Sequence, residues 1–312
     1  MKKLLLILLC LPFIGFGQQT YVPDDNFEAY LEANGMGNGI ANDDYVITSK
    51  IDTVSYLDIQ TQNISDLTGI EDFTGLTVLS CSYNNLSLLN LSQNINLTRL
   101  YCCLNPLASL DLSSNILLES LECGLDLDYN NNTGIPITYT LLSNLNITQN
   151  TFLKYLDIGP NQLTTLDLSQ NIVLKHFSID SSLIDSLDLT NNIALEGIGI
   201  GHSSSIYFLD IRNGTNLIIE FLGVRDNINL TCINVDDSLY STINWVGQDF
   251  LFDSWNYFSN NCSGITTSIQ EHTTNKDLLK VTDLLGRETK QTNQLLFYIY
   301  DDGTVEKKLI IE

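Results

Sequence analysis

The sequence predicts a repeat solenoid of the α/β type, made mostly of short parallel β-strands and turns, and three observations carry that reading. A 21-residue unit recurs as Leu-x-x-Leu-x-(Cys/Ile)-x-x-Asn-x-Leu-x-x-Leu-x-Leu-x-x-Asn, with copies in one register starting at Leu76, Leu97, Leu153 and Leu174. Within each copy the Leu-x-Cys and Leu-x-Leu segments alternate inward and outward residues as short strands do. One coil carries too little core to fold alone, so neighbours must stack, their matching strands pairing in parallel about 4.8 Å apart.

From the front, Met1-Lys2-Lys3 followed by the apolar run Leu4 to Phe16 reads as a signal peptide over residues 1–17, cleaved near Gly17 and Gln18. Cys10 is not taken as a lipidation site, because Leu9 stands where a small residue is required. Residues 18–53 are expected to cap the solenoid. In the stretch from Val22 to Leu31, Phe27, Tyr30 and Leu31 share one helical face, and Asp24 and Asp25 stand at the helix start, where the dipole favours them. Gly35, Gly37 and Gly39 mark a loop; Asn42, Asp43 and Asp44 read as a polar turn whose oxygens also suit a cation.

The repeats are placed at residues 54–235. A 22-residue copy with Val54, Leu57, Ile59, Ile64, Leu67, Ile70 and Phe73 precedes the regular block. The unit starting at Leu118 is 35 residues long, 21 plus an insertion of 14 that falls within 125–140. From Leu195 the period loosens to 22, and beyond Leu217 the register degenerates. About eight coils result, spanning roughly 40 Å. The Asn at the ninth position suits a tight bend, because its amide bonds backbone groups the bend leaves without partners. Asn84, Asn105 and Asn161 are therefore expected to stack as a ladder.

On these residues the units resemble leucine-rich repeats, and Asn63-Ile64-Ser65-Asp66-Leu67-Thr68-Gly69-Ile70 resembles the internalin-like bacterial class. The resemblance covers roughly residues 54 to 235. It implies a surface-exposed recognition module rather than a catalyst, and it makes the N-terminal helix the short cap of such proteins. The fold alone names no ligand.

Cys81, Cys102 and Cys123 recur 21 residues apart at an inward position, where cysteine packs as a small apolar group. Stacked about 4.8 Å apart they exceed the usual disulfide Cβ separation of about 3.8 Å, so buried thiols are expected. A ladder spreads ligands along a line, which disfavours a metal site. Cys103 should face outward, in either redox state.

Residues 236–264 are expected to close the far end. Trp245, Phe250, Phe252, Trp255, Tyr257 and Phe258 suit a lid over the last coil, with a sugar-binding platform as the rival reading. A Cys232–Cys262 disulfide should staple this cap, closing a loop of about 30 residues and contributing roughly 3 to 4 kcal/mol on the loop-entropy model. Residues 265–312 read as short strands separated by Gly-containing turns, a small all-β module of β-sandwich type. The run Asp283-Leu284-Leu285-Gly286-Arg287, with Gly303, Lys307 and Lys308, resembles the C-terminal sorting domain of the type IX secretion system of Bacteroidetes. That resemblance implies the type IX secretion machinery as a partner and a secreted or outer-membrane-associated cell-surface location. The segment is shorter than the usual form and lacks its early Pro-Asn-Pro strand, so anchored and released products are both compatible with it.

Loss of the signal peptide leaves 12 basic against 37 acidic residues, a net charge of 12 − 37 = −25. Such a surface is a poor partner for nucleic acid, and no later apolar run approaches the about 20 residues of a membrane span. A soluble monomer is expected. Asp111, Asp167, Asp188 and Asp210 recur at matched positions, with Asn90 and Asn146 between, as an acidic edge. A solvated turn edge is the first reading and calcium binding the second; no other cofactor or metal is expected.

Catalytic constellations are absent around His176, His202 and His272, and pairing Asp157 with Asp180 as acid and base is the strongest enzymatic case. An enzyme is not expected. Outward positions instead compose a binding face for an extracellular protein or glycan: Val78, Ser80, Tyr83, Arg99, Tyr101, Glu122, Tyr155, Asp157 and His176. Because each unit has two Leu-x-x-Leu halves, either side is a candidate for the concave one. The insertion is a second candidate contact. A structural surface or matrix component, and a carbohydrate-active accessory protein or enzyme, are the rivals.

Overall fold

The computed structural model describes residues 18–124, 142–214, 216–245, 249–262, 278–282, 295–300 and 305–309. The signal segment 1–17, the insertion 125–140, and Asp283, Gly286, Arg287 and Gly303 lie outside the described residues. Two compact units meet between Cys262 and Ser263.

The first unit opens with an antiparallel pair, Gln19–Tyr21 against Tyr45–Ile47, and a helix, Asp25–Ala33. Asp24 caps the helix, its Oδ1 accepting from the amides of Asn26 and Phe27 at 3.0 Å each. Its Oδ2 accepts from the amide and hydroxyl of Ser65, both at 2.8 Å, so one carboxylate ties the cap to the first coil. These hydrogen bonds hold the Asp24 carboxyl below its usual range against the opposing effect of burial. Phe27 and Leu31 are fully buried, and the Phe27 ring stacks on Phe73 of the first coil at 6.2 Å.

Nine parallel strands, one per coil, then form a continuous sheet: Tyr56–Asp58, Val78–Ser80, Arg99–Tyr101, Ser120–Glu122, Tyr155–Asp157, His176–Asp180, Gly197–Gly201, Phe221–Arg225 and Phe250–Phe252. The repeat leucines stand opposite one another, with Leu79 paired to Leu100, Leu100 to Leu121 and Leu121 directly to Leu156. The 14 additional residues after Gly124 thus leave the sheet register intact. On the other side of the coils six three-residue strands pair likewise, Ser109–Asp111 with Asn144–Asn146, and Ser186–Asp188, Phe208–Asp210, Cys232–Asn234 and Tyr257–Ser259 in sequence. Between the two sides lies one core of leucine and isoleucine, with Cys81 and Cys102 buried in it.

The solenoid continues further than the repeat pattern suggests. Beyond Leu217 the register persists through Ile219, Leu222, Val224, Leu230, Ile233 and Val235, all buried. The apparent degeneracy is a longer coil: Ile219 follows Leu195 by 24 residues rather than 21. The C-terminal cap is itself a final coil, since Phe250–Phe252 and Tyr257–Ser259 add a strand to each side around the helix Ser238–Asn244. Trp245 is buried, stacked on Phe250 at 6.0 Å and edge-on to Phe258 at 5.3 Å. Trp255 and Tyr257, expected in the lid, are each 45% exposed, so only part of the aromatic cluster closes the core. Cys232 and Cys262 form a disulfide across 5.9 Å between Cα atoms.

Two rows of asparagine hold the coils in register. At the ninth position Asn84 donates to the Ile59 carbonyl of the preceding coil at 2.8 Å and accepts from the Ile64 amide at 3.0 Å; Asn105 repeats this with Cys81 and Leu86. Asn161 departs from the expected ladder, donating to Ile158 and Gly159 and accepting from Leu163, all within its own coil. It follows the coil whose ninth position falls in the insertion. Ser182 and Ser203 then replace asparagine, the Ser182 amide donating to the Ser203 hydroxyl at 3.1 Å. The nineteenth position carries the longer row. Asn115, Asn150, Asn171 and Asn192, each fully buried, donate to the backbone carbonyl of the preceding row member at 2.9 to 3.0 Å and to a second carbonyl of that coil. Asn94 begins this row on Ile70 and Phe73, and Asn213 extends it to Asn192.

The acidic edge is a row of turns. Asp111, Asp167 and Asp188 accept from the amide two residues on at 2.9 to 3.0 Å, as Asn90 and Asn146 do from Ser92 and Thr148 at 3.1 Å. The Ser113 and Ser169 hydrogen bonds hold Asp111 and Asp167 below the ordinary carboxylate range. Asp210 differs: it is buried, and the Arg212 guanidinium closes over it.

The second unit contributes a three-stranded antiparallel sheet, Leu278–Thr282, Leu295–Tyr300 and Val305–Leu309, with a bulge between Leu278 and Lys280. Among its described residues a single sheet replaces the two facing sheets of a sandwich. Lys307 and Lys308 lie on the last strand, opposite Phe297 and Leu296.

Candidate functional site

Alternation along a strand sends every second residue of the nine-stranded sheet to solvent, so parallel pairing sets the outward residues of successive coils side by side. Two adjoining troughs result. The first, about 410 Å³, is lined by Val78, Ser80, Tyr83, Arg99, Tyr101 and Glu122, together with Tyr56 of the first strand. The second, about 450 Å³, is lined by Glu122, Tyr155, Asp157 and His176, and by Gly197, Gly199 and Phe221. Cys103 and Glu122 border both, which makes the face continuous. The nine residues expected on a binding face line these two troughs, eight of them from strands of the sheet and Tyr83 from the bend after Val78–Ser80. Ser80 is buried at the first trough's floor, whereas Tyr83 and Tyr155 are well exposed.

Aromatic rings and bare backbone alternate in the second trough. Tyr155 and His176, neighbours across two strands, stack at 5.0 Å with planes 11° apart. The His176 Nε2 lies 3.8 Å from Glu196, which also accepts from Lys175 at 2.6 Å. That hydrogen bond lowers the Glu196 carboxyl and raises the Lys175 ammonium. Glycines supply the room. A Cβ on Gly197 would stand 2.7 Å from His176 Nδ1, and one on Gly223 would stand 2.9 Å from Phe221 Cζ. The His176 and Phe221 side chains therefore lie across glycine backbone, with Gly197 making space for the first and Gly223 for the second. Phe221 was outside the expected face because its coil follows the 24-residue one, which shifts the register. Gly197, Gly199 and Gly201 were legible as outward positions between buried Ile198 and Ile200, a signal the leucine pattern does not contain.

At the rim, His202 bridges Asp180 at 3.0 Å and Asp226 at 3.2 Å, linking three successive coils. Asp180 also accepts from the Ser181 hydroxyl, while Asp157 accepts from the Gly159 amide at 3.1 Å. The two aspartates weighed as an acid and base pair are each engaged with local protein groups.

The sheet, its paired second side and its capping coils define a leucine-rich repeat solenoid. Over 74 residues the chain is 40% identical to Internalin J of Listeria monocytogenes serotype 4b, a segment covering 24% of this chain and 8% of that protein. Internalin C2 of the same species superposes with a TM-score of 0.50 at 17% identity, covering 71% of this chain and 92% of that one, and shares the fold. The functional domain of InlJ, which includes a cysteine ladder, is matched over 70% of this chain and 66% of that one, at 23% identity and a TM-score of 0.25. No protein-family model matches the chain.

Four free thiols lie beneath this face: Cys81, Cys102, Cys103 and Cys123. Cys103, expected to face outward, is 8% exposed; it borders both troughs yet is covered, its amide donating to the Ser82 hydroxyl at 3.1 Å. Burial, with the charges of Cys123, Asp157 and Glu122 behind it, pushes the Cys103 thiol up to about 12. Burial likewise raises Cys81. In Cys102 the hydrogen bond from Cys123 opposes that effect and burial prevails; Cys123 itself is raised by that bond and by burial. A folded-state value above the unfolded one gives stability that is complete below about pH 9 and is lost as pH rises toward 12. Each fully buried thiol then removes on the order of 1 kcal/mol per pH unit in that window. Urea unfolding at pH 8, 9 and 10 should show this decline, and above pH 9 it should be shallower, by on the order of 1 kcal/mol per unit, in a Cys81→Ala variant. Equal slopes would contradict the assignment.

Proposed function

We propose that this chain is a secreted or cell-surface recognition module that binds an extracellular protein or glycan on its nine-stranded face, without catalysis. One observation carries the reading: solvent-exposed Tyr155, His176 and Phe221 are arrayed over a glycine floor in a trough of about 450 Å³, beside the Arg99 and Tyr101 trough. Exposed rings on a rigid sheet present contact area at low conformational cost, as binding faces require. The acidic balance favours basic patches on a protein partner or a neutral glycan. Similarity to Internalin J over 74 residues supports the internalin-like class of repeat, and no helix among the described residues is long and apolar enough to cross a membrane.

The test is an array of glycans and extracellular proteins probed with the purified chain from Gln18 onward. A specific ligand should be found, and Tyr155→Ala with Phe221→Ala should weaken it at least about tenfold, the loss of roughly 1.4 kcal/mol or more expected from removing central aromatic contacts. Unchanged affinity in that folded double variant would place the binding surface elsewhere.

We further propose export through a type IX secretion system, with residues 265–312 as the sorting domain. The motif from Asp283 to Arg287 and the antiparallel strands of the second unit support it. In a host with that system, deleting residues 265–312 should leave the protein in the periplasm. Equal surface or medium recovery of both forms would remove this reading.

A further inference from the structure

We propose a calcium site in the N-terminal cap, formed by Asp25, Glu28 and Asp44. One carboxylate oxygen from each lies within 4.8 Å of those of the other two. Two ligands bound to one calcium ion at 2.3–2.6 Å stand at most about 5.2 Å apart, so this spacing fits a shared ion. Asp25 and Glu28 are one helical turn apart and project together. Asp44 comes from the loop that returns across the helix, where Asn42 and Asp44 take left-handed backbone angles of +58° and +64°.

A group of surface acids alone would carry nothing, but Glu28 is not on the surface. It is 1% exposed, and its Oε2 is buried with no hydrogen-bond partner; its Oε1 accepts only the Asp43 amide, at 3.2 Å. A buried carboxylate oxygen without a donor, aimed at two further carboxylates, is unfavourable unless a cation completes it. All three donors are oxygen, with neither nitrogen nor sulfur among them, which selects a hard cation. Calcium accepts six to eight oxygens in irregular geometry, and three carboxylates with water meet that demand better than they meet the strict octahedron of magnesium. The ion would clamp the first helical turn to the loop before Tyr45–Ile47. It would thereby steady the cap whose Phe27 and Asp24 close the first coil.

The experiment is calorimetric titration of the chelator-treated full secreted chain with CaCl2 and, separately, MgCl2. One saturable calcium site is expected, at least tenfold tighter than magnesium, with calcium also slowing hydrogen exchange of the helix amides from Asp25 to Ala33. Asp25→Asn with Asp44→Asn should abolish both effects; both positions reach solvent, and the neutral isosteres keep the fold. Asp167→Asn with Asp188→Asn, on the acidic turn edge, should leave the calcium site intact. Absence of a saturable site, equal response to magnesium, or calcium binding that survives in the Asp25 and Asp44 variant would overturn the proposal.

Discussion

Each buried asparagine that ends a coil donates its amide hydrogens to the backbone of the coil before it, and the rest of the solenoid depends on that bond. A leucine core is indifferent to sliding or rotation of one coil against the next, since any apolar contact serves it about equally. The amide is not. Asn150 reaches the Leu112 and Asn115 carbonyls of the coil before it, 38 and 35 positions earlier in the chain, and so fixes position across the insertion. The amide oxygens of Asn94, Asn115, Asn150, Asn171 and Asn192 are themselves unpaired, a cost that the two donated bonds must offset. A separate set of backbone bonds closes each turn: the Leu97, Leu118, Leu153 and Leu174 amides each donate to the main-chain carbonyl of the asparagine three residues earlier.

With register set from inside, the outward positions are free to vary. The nine-stranded face carries serine, arginine and tyrosine in the early coils and then tyrosine, histidine, glycine and phenylalanine, with no break in strand pairing between the two sets. Stability resides in the inward leucines and asparagines, and the proposed recognition would rest on the residues between them. The thiols belong to the first group. Free Cys81 and Cys102 occupy the inward position that Ile158 and Ile179 take in later coils, and raised pKa values keep them protonated and inert at neutral pH.

Much of this was legible in the sequence because the solenoid is nearly one-dimensional: a residue's place in the 21-residue unit dictates whether it is inward, outward or in a turn. That logic reaches Leu79, Cys81 and the outward Tyr155 alike, while the capping Phe27 follows from helical periodicity. It fails where the spacing changes. The coil from Leu195 is longer by three residues, which hid Ile219, Leu222 and Val224 and with them the outward Phe221. It also fails where a contact joins distant segments, as with the Asp44 carboxylate beside Asp25 and Glu28, or Arg212 donating to the Asn260 carbonyl. Cys103 lines the outer troughs as alternation directs, but alternation says nothing of how far neighbours cover a side chain, and it is 8% exposed.

The most direct test of the asparagine spine is equilibrium urea unfolding of an Asn150→Ala variant, with Asp188→Ala on the exposed turn edge as the reference. Losing two net hydrogen bonds should lower the unfolding free energy by about 2 to 3 kcal/mol in Asn150→Ala and by less than about 1 kcal/mol in Asp188→Ala. An Asn150→Ala protein within about 0.5 kcal/mol of the parent would show that leucine packing alone sets the register.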